Sequence, residues 1–451
     1  MLYVLVLVGL FACQNSQTNR EAKTQEPTPF FAKNVETLLD SIVPALQSEY
    51  HVPCVGIGLI ENGKIKHIKV FGNHQANKKA PQNTIFNVAS ITKVVTAMTT
   101  LKLVHQNQWS LDEPLHKYWV DPDIEADSMH KLLTTRHVLS HTTGFNNWRR
   151  MNPDKKLRFE FTPGKKYQYS GEGFEYLATA LKKKFGKSIA TLADSLIFRP
   201  LAMEDATFRW LKGQDTLRFA HWYDGEGKAH DAYYKTHWTS AADDLLITLK
   251  DMLNFGLAVM DTTIVDKKLF KEMVSTQSKI HNNASQGLGW AVANNLPNNE
   301  YLINHDGSDI GVATTFLLFP KSKNGIAIFT NGDNGQILLK KIAREALPFG
   351  KEVLEKLYWG RPIPEKVKLS NDVLKTYSGK YKTNLGRMLD FRVEGDCLKI
   401  YGKGFPQLSI YPENENSFFP LDFDLAFVFE KNKQGKVKTF KMMHGDKVNL
   451  R

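Results

Sequence analysis

Two hairpin patterns placed far apart in the chain constrain its fold most. Residues 55–73, VGIGLIENGKIKHIKVFGN, alternate around Asn62-Gly63, a dipeptide typical of a tight β-hairpin turn. Residues 312–331, VATTFLLFPKSKNGIAIFTN, repeat the pattern with a Pro-containing turn. From about Ser90 to Asn282 the pattern is mostly helical. We therefore predict an α/β (α+β) fold, in which an antiparallel sheet built from both ends of a domain is flanked by helices and carries an inserted helical subdomain.

The composition fits a folded body of more than one domain. The chain has 451 residues, 42% hydrophobic and 24% charged, close to the globular average. A first domain is predicted at 36–350, ending with a helix in ILLKKIAREALPFG. Residues 351–368 are rich in proline and charge, which predicts a linker. Short alternating stretches at 369–451 predict a small all-β barrel or sandwich.

The net charge of +12 does not indicate nucleic-acid binding, because the basic residues are scattered along the chain. The one basic run, KKK at 182–184, precedes Gly186 and is typical of a helix C-terminus, where cations and glycine are both favoured.

The first thirteen residues, MLYVLVLVGLFAC, form an apolar run too short to span a bilayer. A polar spacer at 14–35 follows, so we predict an export signal at 1–13. The stretch LFAC is similar to a bacterial lipobox, in which the cysteine becomes the lipidated first residue. This similarity implies a periplasmic or cell-surface lipoprotein attached to the membrane through Cys13. An ordinary secretory signal with an incidental cysteine is the alternative.

Two other residue pairs are weaker candidates for a bond or a metal site. Cys54 and Cys397 lie in segments assigned to different domains, which argues against a disulfide framework. His137 and His141 have the i, i+4 spacing of two metal ligands on a helix. The glutamate of an H-E-x-x-H site is missing, however, and a turn follows directly. We therefore predict no metal site.

Ser90 and Lys93 stand three residues apart at the start of an apolar helical pattern. Residues i and i+3 share a helix face, so the hydroxyl and the amine come within hydrogen-bond reach. Lysine can activate a serine nucleophile when burial or a neighbouring cation lowers its pKa. On spacing alone, a helix N-terminal serine with a surface lysine is the competing interpretation.

Two further segments can converge on that helix start. Residues 169–171 (YSG) follow a Pro-Gly turn and precede a helical pattern. Residues 305–308 (HDGS) come just before the strand pattern ATTFLLF, at a predicted strand edge.

With these segments in this order, the chain resembles the serine hydrolases related to class C β-lactamases, DD-peptidases and certain esterases. The resemblance covers most of residues 36–348. Residues 90–93 (SITK) match the family's S-x-x-K, residues 169–171 its Y-x-N, and residues 305–307 its K-T-G or H-x-G. The segments LDEPLHKYW, RHVLSHTTGF, GLGW and GIAIFTNGDNG support the match.

The resemblance implies a role for each of these positions. Ser90 would be the acylated nucleophile, and Lys93 would help to take its proton. Tyr169, held as or near phenolate by surrounding positive charge, would be the general base that passes the proton to the leaving group. His305 would orient Tyr169 or a substrate carboxylate. The backbone N–H groups of Ser90 and Ser308 would form the oxyanion hole.

Position 171 departs from the family pattern, since relatives use an asparagine amide there to hold the lysine and the substrate's acylamino group. Gly171, Gly307 and Ser308 are predicted to contact substrate. Trp148 is predicted to line the cleft, with an aromatic ring packed under a loop as the alternative. Without the asparagine, and with His305 in place of lysine, a peptidase or esterase is favoured over a β-lactamase.

The sequence thus predicts a secreted serine hydrolase that works through an acyl-enzyme without a metal or organic cofactor. Its substrate would be an amide or ester, most simply a D-amino-acid-containing peptide or an ester. A β-lactamase is one alternative, and a weakly catalytic penicillin-binding or sensor protein is another. The predicted partners are a small peptide, ester or β-lactam and the membrane, and no nucleic acid. The oligomeric state stays open.

Overall fold

The computed structural model describes residues 29–210, 216–231, 239–383, 386–402, 405–444 and 447–448. The predicted export signal, Cys13 and most of the polar spacer lie outside these residues. Within them, no helix combines the length and the apolar character needed to cross a bilayer. Cys54 and Cys397 are both buried free thiols.

The structure contains two large antiparallel sheets and a two-stranded one. The strands are Cys54–Glu61 (β1), Lys64–Gln75 (β2), Lys78–Lys79 (β3), Phe86–Asn87 (β4), Leu246–Ile247 (β5), Ser278–His281 (β6), Ala284–Gln286 (β7), Ala291–Leu296 (β8), Glu300–Asp309 (β9), Val312–Phe319 (β10), Asn324–Thr330 (β11), Gly379–Lys382 (β12), Met388–Glu394 (β13), Cys397–Gly402 (β14), Phe405–Pro412 (β15), Ser417–Pro420 (β16), Leu425–Lys431 (β17), Val437–His444 (β18) and Lys447–Val448 (β19).

Helices surround the larger sheet and fill the insertion. The α-helices are Val35–Tyr50 (α1), Thr92–His105 (α2), Thr135–Leu139 (α3), Gly171–Phe185 (α4), Ile189–Ala193 (α5), Leu249–Met260 (α6), Lys267–Met273 (α7), Gly335–Ala346 (α8), Gly350–Leu354 (α9) and Asn371–Lys375 (α10). Short 3₁₀ helices include Ala89–Ile91 and Arg149–Met151, and Asp194–Phe198 and Glu355–Trp359 are π-helical.

The larger sheet joins the two predicted hairpins. Its strand order is β3-β2-β1-β11-β10-β9-β8-β7-β6. Strand β1 therefore pairs with β11, although most of the domain's sequence lies between them. In the first hairpin, Asn62 and Gly63 have φ values of 52° and 74°, which suits a tight turn that needs two left-handed residues. The sheet built from both ends is therefore confirmed.

The larger sheet is covered by helices on both faces. Helix α6 approaches β1 closely because two glycines leave room: a Cβ on Gly56 would lie 3.0 Å from Leu249, and one on Gly58 would lie 2.7 Å from Leu253. Alternate β1 residues belong to the opposite core, which α1 and α8 cover; they are Val55, Ile57 and Leu59. The predicted α+β class is confirmed.

The second sheet contains strands β12 to β19 in sequential order. Strand β12, at one edge of this sheet, approaches β18, which lies next to the opposite edge. The sheet therefore curls into a nearly closed barrel. Ion pairs tie this barrel to the first body: Arg344 lies 3.0 Å from Asp422, and Lys399 lies 3.0 Å from Glu49. Of residues 351–368, predicted as a linker, the first part is helical, and residues 362–370 lack regular secondary structure.

Candidate active site

Ser90 lies on a short 3₁₀ turn directly before α2. The turn starts at Ala89, whose φ of 45° lies in the left-handed region and whose N–H donates to Asn87 Oδ1 at 2.7 Å. Thr92 Oγ1 donates to the Ala89 carbonyl oxygen at 2.6 Å. Side-chain hydrogen bonds therefore fix a backbone conformation that alanine rarely adopts.

Lys93 is fully buried behind Ser90. Its Nζ donates to Ser90 Oγ at 3.0 Å and to the Ala242 carbonyl oxygen at 2.7 Å. Burial lowers the pKa of Lys93 to about 8, although the carboxylates of Asp243 and Glu175 act in the opposite direction. A lysine that loses its proton this readily can serve as a base for the serine hydroxyl.

Glu175, on α4, fixes the backbone that holds Lys93. Its Oε1 accepts hydrogen bonds from Ser240 Oγ at 2.6 Å and from the N–H groups of Ala241 and Ala242 at 2.9 and 3.3 Å. Burial raises the pKa of Glu175, while these hydrogen bonds lower it. Sequence reasoning missed this residue, since an acidic side chain in an amphipathic helix normally faces water.

Tyr169 lies beside Ser90, where the YSG segment leads into α4. Tyr169 lines the same cleft as Ser90, and Lys93 Nζ lies 4.8 Å from the centre of its ring. The ring stacks on His141 at 4.4 Å. Burial raises the pKa of Tyr169 well above its ordinary value, and Asp243 and Asp306 add to this. Burial therefore favours a neutral phenol, which is the opposite direction to the phenolate expected from surrounding positive charge.

His305 is buried within β9, with its ring centre 6.1 Å from that of Tyr169. Its Nδ1–H donates to the Asp306 carbonyl oxygen at 2.7 Å. Burial and the charge of Lys93 lower the pKa of His305 to about 3. A neutral ring is therefore favoured, and the expected role in orienting Tyr169 or a substrate carboxylate stays a prediction. The HDGS segment lies at the end of β9 and directly precedes β10, which contains the predicted strand ATTFLLF.

Gly307 lets β9 approach the turn that carries Ser90. A Cβ at this position would lie 2.2 Å from the Val88 carbonyl oxygen and 2.3 Å from Thr314 Oγ1. Thr314 Oγ1 itself donates to Val88 at 3.0 Å. Only glycine allows this contact. It brings Ser90 and Ser308 to one cleft, where their N–H groups remain the predicted oxyanion donors.

Gly171 is buried beneath the indole ring of Trp148. A Cβ at position 171 would lie 2.8 Å from the nearest atom of that ring, so the indole fills the space where an asparagine side chain would begin. Arg149 anchors the indole-bearing loop through ion pairs to Glu172 and Asp121, at 3.0 and 2.8 Å. Neither Gly171 nor Trp148 is among the described residues that line the cleft. The indole covers Gly171, and the substrate contact predicted for this residue stays a prediction.

The cleft beside Ser90 has a volume of about 430 Å³. It is lined by Ser90, Asn147, Tyr167, Tyr169, Ile280, Ala284, Gln286, Ala291, Asn304, His305, Asp306, Gly307, Ser308, Leu357 and Tyr358.

Tyr358 lies in the segment predicted as a linker, and its hydroxyl donates to Asp306 Oδ1 at 3.2 Å. Nothing in the sequence signalled this contact, which joins residues 52 positions apart.

The two histidines considered as metal ligands have other partners. His137 closes a capping box with Thr134, and His141 Nδ1 accepts a hydrogen bond from the Ser170 N–H at 3.1 Å. Within the described residues, carboxylate oxygens of three aspartates lie within 4.8 Å of one another: Asp243, Asp244 and Asp309. Such acidic groups are common at protein surfaces and do not by themselves define a metal site.

Comparison with known proteins agrees with this geometry. The family model described as Beta-lactamase matches residues 32–347. Esterase EstB of Burkholderia gladioli is 28% identical over 221 residues, which are 42% of this chain and 55% of the esterase. Protein flp of Staphylococcus aureus strain MW2 is 22% identical over 324 residues, 65% of this chain and 62% of flp. The matches thus span less than two thirds of either relative.

Two solved structures share the fold at low sequence identity. The octameric penicillin-binding protein homologue from Pyrococcus abyssi has a TM-score of 0.64 and 20% identity, over 91% of this chain and 96% of the homologue. The D-amino acid amidase from Ochrobactrum anthropi SV3, complexed with L-phenylalanine, has a TM-score of 0.55 and 21% identity, over 66% of this chain and 90% of the amidase. At these identities the likeness shows the fold alone.

Proposed function

Because the chain belongs to the beta-lactamase family of serine hydrolases, we propose that it hydrolyses an ester or amide through an acyl-enzyme on Ser90. A simple ester or a D-amino-acid-containing peptide is the proposed substrate. The observation that carries the proposal is the 3.0 Å contact between Lys93 Nζ and Ser90 Oγ in a fully buried setting. An ammonium on a surface lysine would offer no such base.

Acylation begins when neutral Lys93 takes the Ser90 proton and Ser90 Oγ bonds to the substrate carbonyl carbon. The N–H groups of Ser90 and Ser308 stabilise the oxyanion. As the C–O or C–N bond breaks, the Tyr169 phenol gives its proton to the leaving group and regains one from Lys93. Water then attacks the acyl carbon, the bond between that carbon and Ser90 Oγ breaks, and the proton that the water loses passes to Ser90 Oγ by the reverse path.

Two features favour ester and amide hydrolysis over β-lactam hydrolysis. Gly171 offers no side-chain amide to the substrate, and Trp148 blocks that space. Neutral His305 supplies no charge for the carboxylate that β-lactams carry. A penicillin-binding or sensor protein with slow turnover is the second candidate, and the loss of the amide at Gly171 is the observation that favours it.

The test is the intact mass of the full chain, purified in detergent, after incubation with a fluorophosphonate. A single adduct on the native protein and none on Ser90→Ala would support an activated serine. Turnover of a chromogenic ester and of a chromogenic cephalosporin then ranks the substrates. No adduct on folded protein would refute the proposal, and an adduct with faster cephalosporin turnover would favour the β-lactamase.

The proposed location is the bacterial periplasm or cell surface, with a lipid on Cys13. The apolar run before Cys13 and the polar spacer after it support this. Metabolic labelling with a fatty-acid analogue tests it: the native chain should be labelled and Cys13→Ala should not. Equal labelling of both would contradict lipidation at Cys13.

A further inference from the structure

The charged side chain that lines the cleft is acidic. Among the described residues that line it, Asp306 is the acidic one, and neither lysine nor arginine occurs. Burial lowers the pKa of His305 to about 3, which favours an uncharged ring. Lys93 lies behind Ser90, fully buried, with its amine occupied by Ser90 and Ala242. An incoming carboxylate would therefore meet no accessible cation.

Asp306 is held in a defined orientation by three neutral donors. Its Oδ1 accepts hydrogen bonds from Thr315 Oγ1 at 2.7 Å, Asn304 Nδ2 at 3.0 Å and the Tyr358 hydroxyl at 3.2 Å. Burial raises the pKa of Asp306, whereas these donors and the charge of Lys340 lower it. Burial is the larger effect, so the pKa of Asp306 lies above its ordinary value, and the three donors favour the ionised form against it. Asp306 is also among the residues that line the cleft.

Lys340 does not cancel this charge at the cleft. Its Nζ lies over the Tyr358 ring at 4.6 Å and over Phe423 at 3.8 Å, and it is not among the lining residues. Asp422 also acts on the same amine. The ammonium therefore lies behind Tyr358, where it supports Asp306 without facing the substrate.

A second acidic group lies close by on the same strand. Asp309 directly follows Ser308 in β9 and is exposed. Its carboxylate lies within 4.8 Å of those of Asp243 and Asp244. Negative charge at the cleft and beside it repels anionic substrates and attracts cationic ones.

We propose that this cleft selects substrates with an ammonium group over matched substrates with a carboxylate, and that Asp306 determines this selection. The inference rests on the proposed function and specifies its substrate class: amino-bearing or uncharged esters and amides. Carboxylate-terminated peptides would be poor substrates.

Three 4-nitrophenyl esters with the same six-carbon acyl chain test the proposal: the hexanoate, the 6-aminohexanoate and the monoester of adipic acid. They differ at the chain end, which is methyl, ammonium or carboxylate. We expect kcat/KM for the ammonium ester to exceed that for the carboxylate ester about tenfold or more at low ionic strength. The ratio should shrink as salt is added.

The readout for Asp306→Asn is the ammonium-to-carboxylate ratio, which a general loss of activity leaves unchanged. The amide oxygen of asparagine can still accept the three hydrogen bonds, so removal of the charge should bring the ratio to within about threefold of one. Tyr358→Phe removes one hydrogen bond but keeps the charge, and should retain the preference. Circular dichroism establishes that both variants fold.

Fluorophosphonate labelling of the same samples distinguishes failure of the charge selection from failure of the proposed hydrolase function. An adduct on Ser90 with equal or faster turnover of the carboxylate ester would overturn the charge selection and leave the hydrolase proposal standing. An unchanged ratio in Asp306→Asn would overturn the assignment to Asp306. No adduct would overturn both the proposed function and the inference that rests on it.

Discussion

Lys93 and Ser90 are joined by a 3.0 Å hydrogen bond in which the amine is fully buried and the serine faces the cleft. The same amine donates to the Ala242 carbonyl oxygen, so it has a fixed position and a lowered pKa. A buried lysine in contact with a serine hydroxyl is suited to proton transfer, whereas a surface lysine usually forms ion pairs in water. Its removal should therefore affect chemistry more than folding.

Lys93→Met should lower kcat/KM for a neutral ester by about 10²-fold or more, because the base is lost while the buried volume is kept. The melting temperature should fall by a few degrees while the fold is kept, since the Ala242 carbonyl oxygen loses its donor and Asp243 and Glu175 lose a neighbouring cation. Lys182→Met, at an exposed position on α4, is the matched control. Activity within threefold of native for Lys93→Met would show that this amine is not the base.

The rate should depend on pH through Lys93. Burial lowers the pKa of its ammonium to about 8, and only the neutral amine can accept the Ser90 proton. Below this pH, kcat/KM should therefore rise about tenfold per pH unit, and above it should level off. The measurement is kcat/KM for 4-nitrophenyl hexanoate from pH 5.5 to 9.5, corrected for spontaneous hydrolysis.

Glu175→Gln should move the midpoint of that pH profile to lower pH. The Glu175 charge raises the pKa of Lys93, so its removal makes the amine easier to deprotonate. The glutamine oxygen can still accept from Ser240 and the neighbouring N–H groups, which keeps the backbone in place. A variant with lower activity but the same midpoint would indicate a structural role alone.

Tyr169→Phe keeps the ring that stacks on His141 and removes the hydroxyl. We expect kcat to fall about 10²-fold, and the loss to be larger for a 4-nitroanilide than for the matching 4-nitrophenyl ester. Nitrophenolate leaves without a proton, whereas the anilide needs one. Tyr301→Phe, on the same strand as His305, is the control. Equal losses on both substrates would argue against proton donation by Tyr169.

Local patterns predicted much of the fold and the centre of the site. The turn at Asn62-Gly63 is set by two residues that tolerate positive φ, and the Ser90–Lys93 contact follows from helical spacing. Both depend on neighbours in sequence. Such features can be derived from a single chain.

Tertiary burial explains what could not be predicted. The Tyr358–Asp306 and Glu175–Ser240 contacts join residues 52 and 65 positions apart, and neither segment carries a motif. The effect of burial on the pKa of Tyr169 could not be predicted, because the sequence shows nearby charges but not the loss of water around the ring.

The pairing of Gly171 with Trp148 makes a prediction about stability. Gly171→Asn should destabilise the protein by about 1–3 kcal/mol, because its Cβ would overlap the indole at 2.8 Å. Gly186→Asn is the matched control: nothing lies within 4 Å of a Cβ there, and asparagine tolerates its φ of 66°. Differential scanning calorimetry measures both.

The double variant Gly171→Asn with Trp148→Ala distinguishes steric exclusion from other causes. Removal of the indole frees the space that the asparagine needs, so the drop in melting temperature should be smaller than the sum of the two single drops. Additive drops would mean that the indole does not exclude a side chain at 171. A combined drop smaller than the sum would mean that Trp148 requires glycine at position 171. The absence of an asparagine amide would then follow from the packing of this site and would not indicate that catalytic activity has been lost.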